Sequence, residues 1–224
     1  LLFIPTVWYY VSMSRPTKQN PERGNARTRL LEAARDLIRS KGVAGCSVED
    51  LCQAAGVTKG AFFHQFASKE GLGVAAAEYW AETTQAFFAA APFHAQTDPL
   101  DRVLAYIDFR REIIAGEIAE FTCLVGTMAQ EVYGSSPAIR DACAASIFGH
   151  AKTLEDDIAA AMDARGIEHD WTAASLARHI QAVIQGAFVL VKAANDPAIA
   201  RESLDHLKRY IGQLFQGASQ GAPL

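Results

Sequence analysis

Residues 57–72 read VTKGAFFHQFASKEGL. Thr58 is a helix-capping residue type, and Ser68 opens the next helical stretch. The helix between them has only about two turns. A helix that short does not hold itself together in water, because its first turn costs more to order than its few hydrogen bonds return. Neighbouring elements must therefore hold it. Phe62 and Phe66 are spaced to share one face and are expected to point into a core, packed on the first and fourth helices. Phe63 lies about 100° round the helix from Phe62, nearer the open side.

The flanking sequence supplies the neighbours. Residues 47–56, SVEDLCQAAG, begin with Ser47 and Asp50 in a capping-box arrangement, with Asp in place of the usual Glu. Val48, Leu51, Cys52 and Ala55 form the buried stripe, and Gly56 supplies the stop. Upstream, from about 25 to 41, Leu30, Leu31, Ala34, Leu37 and Ile38 recur at helical spacing, and Arg27, Arg29, Arg35 and Arg39 fill much of the remainder. Downstream, a long helix is expected over 68–91, before Pro92. Asp98-Pro99 and Ser136-Pro137 each set a capping residue before proline at the first helical position. They open helices over 98–116 and 136–166, with another over 117–133 between them. Two more follow, from about 170 to 195 and from 198 to 217.

Alanine is frequent, β-branched residues are sparse, and no Asn-Gly or Asp-Gly hairpin signal occurs. The expected fold is therefore all-α, with an N-terminal three-helix helix-turn-helix domain followed by a six-helix body. The expected boundaries are a tail over 1–24, the small domain over 25–70 and the body over 71–224.

Charge divides the same way. Residues 13–69 carry ten Lys/Arg against five Asp/Glu, whereas 70–224 carry eleven against twenty. A basic module that meets a polyanion, joined to an acidic body that does not, fits this asymmetry. The four cysteines, Cys46, Cys52, Cys123 and Cys143, show no CxxC pair and no zinc spacing. A reduced, cytoplasmic protein without metal or other cofactor is expected. No apolar run is expected to span a membrane. The opening LLFIPTVWYYVSM lacks a basic start and a cleavage pattern. It is expected to precede a natural start at Met13 and to be disordered or loosely packed.

Two helices joined by a tight glycine turn, the second starting Thr-Lys-Gly, fit a helix-turn-helix whose second helix enters the DNA major groove. Thr58 and Lys59 then reach base edges or phosphates, and Gly60 and Ala61 permit close approach. Phe63 faces the DNA side, or else merely covers surface. His64 and Lys69 sit where the helix leaves the groove and suit phosphate. Ser47 caps the second helix, whose backbone N–H groups can receive another phosphate.

Taken together, TRLLEAARDLIRSKG…CSVEDLCQAAGVTKGAFFHQFASKEGL resembles the DNA-binding domain of the TetR family of transcriptional regulators. The resemblance covers about residues 25–72. It implies base and phosphate contacts from Thr58, Lys59, Gly60, His64 and Lys69, with Thr28 and Ser47 as phosphate neighbours. It also implies a long linking helix and a helical body that binds a ligand and dimerises. One position departs: Phe63 stands where many members have tyrosine, which removes a phenolic bond to phosphate. Weaker binding, or compensation by Arg27 or Lys59, is expected.

The expected partners are a double-stranded DNA operator, a second copy of the chain and a small-molecule inducer of unknown identity. One recognition helix reads too few base pairs, so a two-fold dimer on a pseudo-palindromic site is expected. The dimer surface is expected from the last two helices, which carry Ala177, Gly186 and Ala193 among Val183, Phe188 and Leu190, and then Leu204, Leu207, Tyr210, Ile211, Leu214 and Phe215. An ordinary monomer core is the alternative. For the ligand, Cys123, Thr127 and Gln130 interleave with Phe121, Leu124 and Met128, and Phe109, Phe148 and His179 are further candidates. The stretch around Cys123 is similar to one in a TetR subgroup that responds to reactive electrophiles or small unsaturated acids. Cys123 is thus either a sensing thiol or an inert buried one. No nucleophile–base pair supports the remaining class, a helical enzyme with a vestigial DNA-binding module.

Overall fold

The computed structural model describes residues 25–167 and 170–217. The expectation for residues 1–24 falls outside them. The described residues form eleven α-helices and one 3-10 turn. They divide into two compact units: the chain up to Ala86 with Thr122–Ser146, and Phe87–Phe121 with the chain from Ile147 on.

In the first unit, α1 (Ala26–Lys41), α2 (Val48–Ala55) and α3 (Lys59–Gln65) make the three-helix head. Each begins on the residue type its sequence advertises. Asn25 accepts the Thr28 N–H at 2.9 Å, Ser47 and Asp50 complete a reciprocal capping box, and Thr58 accepts the Ala61 N–H at 3.1 Å. Gly56 takes the left-handed conformation that closes α2. Phe62 is wholly buried and Phe66 nearly so, with ring centroids 5.9 Å apart. Burying one phenylalanine is worth roughly 1.5–3 kcal/mol, which is what fixes so short a helix in place. α4 (Lys69–Ala89) follows, opened by Ser68, whose Oγ accepts the Gly71 N–H.

This unit also contains α7 (Leu124–Val132) and the first part of α8 (Pro137–Lys152). Glu131 on α7 accepts the Val43 and Ala44 N–H groups at 2.5 and 2.6 Å, so its carboxylate holds the turn between α1 and α2. Gly42 is required there twice over. Its φ is +79°, and a Cβ would lie 2.7 Å from the Glu131 carboxylate. Ser136 donates to Glu70, a second tie from the α8 entrance to the start of α4.

In the second unit, α5 (Pro99–Glu112) packs against α9 (Glu155–Ala164) and α11 (Ala198–Gly217), and α10 (Ala173–Ala194) packs against α9 and α11. The Asp98-Pro99 cap forms as read, with Asp98 accepting from Leu100 and Asp101. Arg165 reaches the same carboxylate at 3.0 Å.

Two of the six expected body helices are interrupted, so eight follow α3. The stretch expected over 117–133 splits into α6 (Ile118–Phe121) and α7, because Cys123 leaves the helix to become the extended N-cap of α7. The stretch over 136–166 splits into α8 and α9 around Thr153, whose hydroxyl bonds back to the His150 carbonyl at 2.8 Å. The expectation about membranes also needs correction. Among the described residues, α10 is long and apolar enough to span one. It is instead a packed helix: Leu176, Ala177, Ile180, Ile184, Ala187 and Val191 are buried on its inner stripe.

Candidate functional site

The exposed side of α3 is one continuous stripe. Lys59, Gly60, Phe63 and His64 are exposed and Ala61 partly so, while Phe62 points into the head. Phe63 is 56% exposed, a large apolar ring left in solvent beside a histidine and a lysine. Its ring meets that of the buried Phe62 edge-on, with centroids 5.2 Å apart, and leaves its other side to solvent.

The polar groups of the stripe have their own partners. Lys59 pairs with Glu49 of α2, and both side chains are more than half exposed. An exposed pair of this kind is worth ~0.2–1 kcal/mol, so it costs little to break. His64 Nδ1 lies 3.0 Å from Gln65 Nε2. Thr58 and Ser47 are both exposed helix caps, and Thr28 donates to Asn25 Oδ1 at 3.1 Å. Hydrogen bonds from the Ser47 backbone and hydroxyl, then the nearby Lys41, hold the Asp50 carboxyl down to about 2. Arg27 stacks over Phe66 at 4.6 Å and reaches the Gln65 carbonyl, closing the C-terminal end of α3.

Lys69 is placed differently from the expectation. Its ammonium donates to the Val43 carbonyl at 3.0 Å and the Cys46 carbonyl at 2.9 Å. It therefore ties the start of α4 to the same turn that Glu131 grips. No sequence pattern signals this, because the acceptors are backbone atoms brought near by the fold.

The six residues expected to share a ligand site are divided between the two units. Cys123 and Thr127 belong to the first unit, whereas Phe109, Phe121, Phe148 and His179 belong to the second. Cys123 is buried, and its Sγ accepts the Gly126 N–H at 3.4 Å as the cap of α7. Thr127 donates to the Cys123 carbonyl at 3.0 Å. Phe148 is 58% exposed, and His179 is exposed against Tyr210, with ring centroids 5.4 Å apart. Neither lines an interior. Phe121 meets Phe188 at 6.1 Å, and Phe109 joins Phe87, Phe88 and Phe93 in an aromatic cluster.

That cluster surrounds polar groups the sequence reading missed. The Tyr106 hydroxyl lies 2.9 Å from His150 Nε2 and accepts from Gln181 Nε2 at 3.2 Å. Tyr106 and Gln181 are buried. Burial, helped by the charge of Arg110, pushes the His150 imidazole down to about 3, so it is neutral at pH 7. The available signal was Tyr106 and Gln181 at core positions of their helices, where a polar side chain needs a partner.

Residues 30–76 match the profile of bacterial regulatory proteins of the tetR family, and residues 99–207 match that of the tetracyclin repressor-like C-terminal domain. This chain belongs to the TetR family of transcriptional regulators. It is 26% identical over 183 residues to the HTH-type transcriptional repressor DhaR of Mycobacterium sp. strain GP1, covering 82% of this chain and 88% of DhaR. A TetR transcriptional regulator from Chloroflexus aurantiacus superposes with TM-score 0.71 at 28% identity, covering 84% of this chain and 94% of that one. The regulator CifR, solved with a 26-base-pair operator duplex, superposes with TM-score 0.68 at 19% identity over 83% of this chain and 96% of that one.

Proposed function

We propose that this TetR-family regulator is a cytoplasmic, homodimeric repressor that leaves its operator when a small molecule binds the helical body. The observation that carries the reading is the exposed α3 stripe, a hydrophobic ring and two basic or titratable groups on a helix anchored from its other side by the wholly buried Phe62. Thr58 and Lys59 read base edges or phosphates, Gly60 and Ala61 allow close approach, and Phe63 packs on the sugar-phosphate backbone. His64, Thr28 and the N-terminus of α2 at Ser47 meet phosphates. DhaR's designation as a repressor supports the direction of control.

The second copy docks on α10. Ala182, Gly186, Val189, Leu190 and Ala193 are all exposed at helical spacing, an apolar and small-residue face with no occupant in the single chain. This differs from the sequence expectation in its membership, since Ala177 and Phe188 are buried within the chain. Ligand binding shifts α4 and changes the separation of the two reading heads, with a coupling of ~1–3 kcal/mol.

The test is a titration against duplex from beside the gene and against a shuffled duplex, at two salt concentrations. A preference of about 10³-fold or more is expected. Equal affinity for both sequences would refute operator recognition at this site.

A second reading is favoured by one observation. Cys123 sits at the N-terminus of α7, close enough to Arg39 for their charges to interact. A nucleophilic side chain in this place would let an electrophile release DNA through it. Replacing Cys123 by Ser decides it: unchanged release by N-ethylmaleimide excludes the role.

A further inference from the structure

Five cations of the second unit are half-buried: Arg102, Arg110, Arg165, Arg201 and Lys208. Four have an oxygen acceptor. Arg102 meets Asp157 at 2.8 Å, Arg165 meets Asp98 at 3.0 Å, Arg201 donates to the Ile114 carbonyl at 2.5 Å, and Lys208 meets Asp108 at 2.6 Å. Arg111, next along α5, pairs with Asp205 at 2.8 Å. Among the described residues, the Arg110 guanidinium makes no hydrogen bond or ion pair. It lies near the faces of two rings, 5.1 Å from the Phe88 centroid and 5.9 Å from that of Phe188.

Ring faces compensate part of the lost hydration of a guanidinium but satisfy none of its five N–H donors. A half-buried cation in that state is stabilised by any anion that can reach it, and a planar carboxylate matches its fork with two parallel bonds. The surroundings set the rest of the ligand. Phe88 meets Phe87 at 5.3 Å and Phe109 at 5.8 Å, which gives an apolar body somewhere to lie. Behind Phe88, whose ring is 4.6 Å from that of His150, the Gln181–Tyr106–His150 chain is already joined up by its own hydrogen bonds. Its imidazole is neutral, so Arg110 is the one positive charge this cluster offers.

We propose that Arg110 is the ligand-reading residue of the body, and that the inducer is a small organic monoanion whose carboxylate pairs with Arg110 and whose apolar part packs on Phe88 and Phe188. This rests on the ligand-responsive reading above and specifies its ligand. Charge is what the site reads, so saturated and aromatic acids both bind, and dianions gain nothing from their second charge.

The experiment uses the full chain, with thermal unfolding and titration calorimetry. The probes are benzoate, hexanoate, benzamide and phenyl phosphate. Benzoate or hexanoate is expected to bind and raise the unfolding temperature, and benzamide, of the same shape as benzoate without its charge, to bind about tenfold or more weakly. Arg110→Gln is expected to abolish the difference between benzoate and benzamide, with Arg110→Lys as the second variant should the first unfold. Equal binding of benzoate and benzamide overturns the inference, as does full acid binding by a folded Arg110 variant. So does the absence of any acid binding at about 10 mM, weaker than even a millimolar site allows. Tighter binding of phenyl phosphate than of benzoate overturns the monoanion assignment. Operator binding is measured separately. A protein that binds operator but no acid refutes this inference alone, and one that binds acid but no DNA refutes the regulator reading alone.

Discussion

Lys69→Met separates a structural lysine from a DNA-binding one. The ammonium makes two hydrogen bonds to carbonyls of the α1–α2 turn, at 3.0 and 2.9 Å. A hydrogen bond to a charged group is worth ~1.5–3 kcal/mol when buried. These are only part-buried, and the Val43 carbonyl keeps the Cys46 N–H at 3.2 Å when the lysine is gone. The pair together is therefore worth roughly 2 kcal/mol, since water replaces part of what is lost. For a chain of this size each 1 kcal/mol moves the unfolding midpoint by roughly 2–4 °C, so a fall of about 4–8 °C is expected. Methionine keeps most of the aliphatic stem, which isolates the charge. Thermal unfolding reads the first effect, and operator affinity across a salt series reads the second. A lysine that neutralises a phosphate contributes about 0.9 to the slope of log affinity against log salt. The slope is expected to stay where it is, because the ammonium is already engaged. An unchanged unfolding midpoint with a slope lower by about one unit would refute the structural assignment and restore the phosphate contact read from the sequence.

Phe63→Tyr is expected to tighten operator binding, by about 1 kcal/mol for one added hydrogen bond to phosphate, without changing sequence preference; equal affinity in a gel-shift titration would place the ring away from DNA. Gly186→Glu puts a charge in the exposed apolar face of α10 and is expected to yield monomers by light scattering, with operator affinity lost in parallel; a stable dimer would move the interface elsewhere. Acid is expected to destabilise the protein through His150. Its folded value, about 3, lies below the ordinary 6.5, so the unfolded chain binds the proton first. Stability is therefore full above about pH 6.5 and declines as pH falls from there towards 3. Between pH 6.5 and 4.5 the decline is expected to be shallower in His150→Phe, and equal slopes in the two proteins would show that His150 is not held neutral.

The head was legible because every device in it is local. Asn25, Ser47 and Thr58 cap helices through bonds to residues three positions away, Gly56 ends α2 through its own backbone conformation, and Phe62 and Phe66 reveal the buried face of α3 by spacing alone. Periodicity and capping chemistry report interactions of that range. It reports nothing about where a long side chain finds a backbone carbonyl or N–H far along the chain. Hence Lys69 read as a phosphate contact although it clasps Val43 and Cys46, and the hold of Glu131 on the turn after α1 went unseen. The same limit governs the body. The spacing over 117–133 reads as one helix, whereas Cys123 leaves it and caps α7. Tertiary packing alone brought Tyr106, His150 and Gln181 into one hydrogen-bonded chain, and it alone set Arg110 beside the rings of Phe88 and Phe188, because a partner contributed by another helix has no trace in the spacing of either.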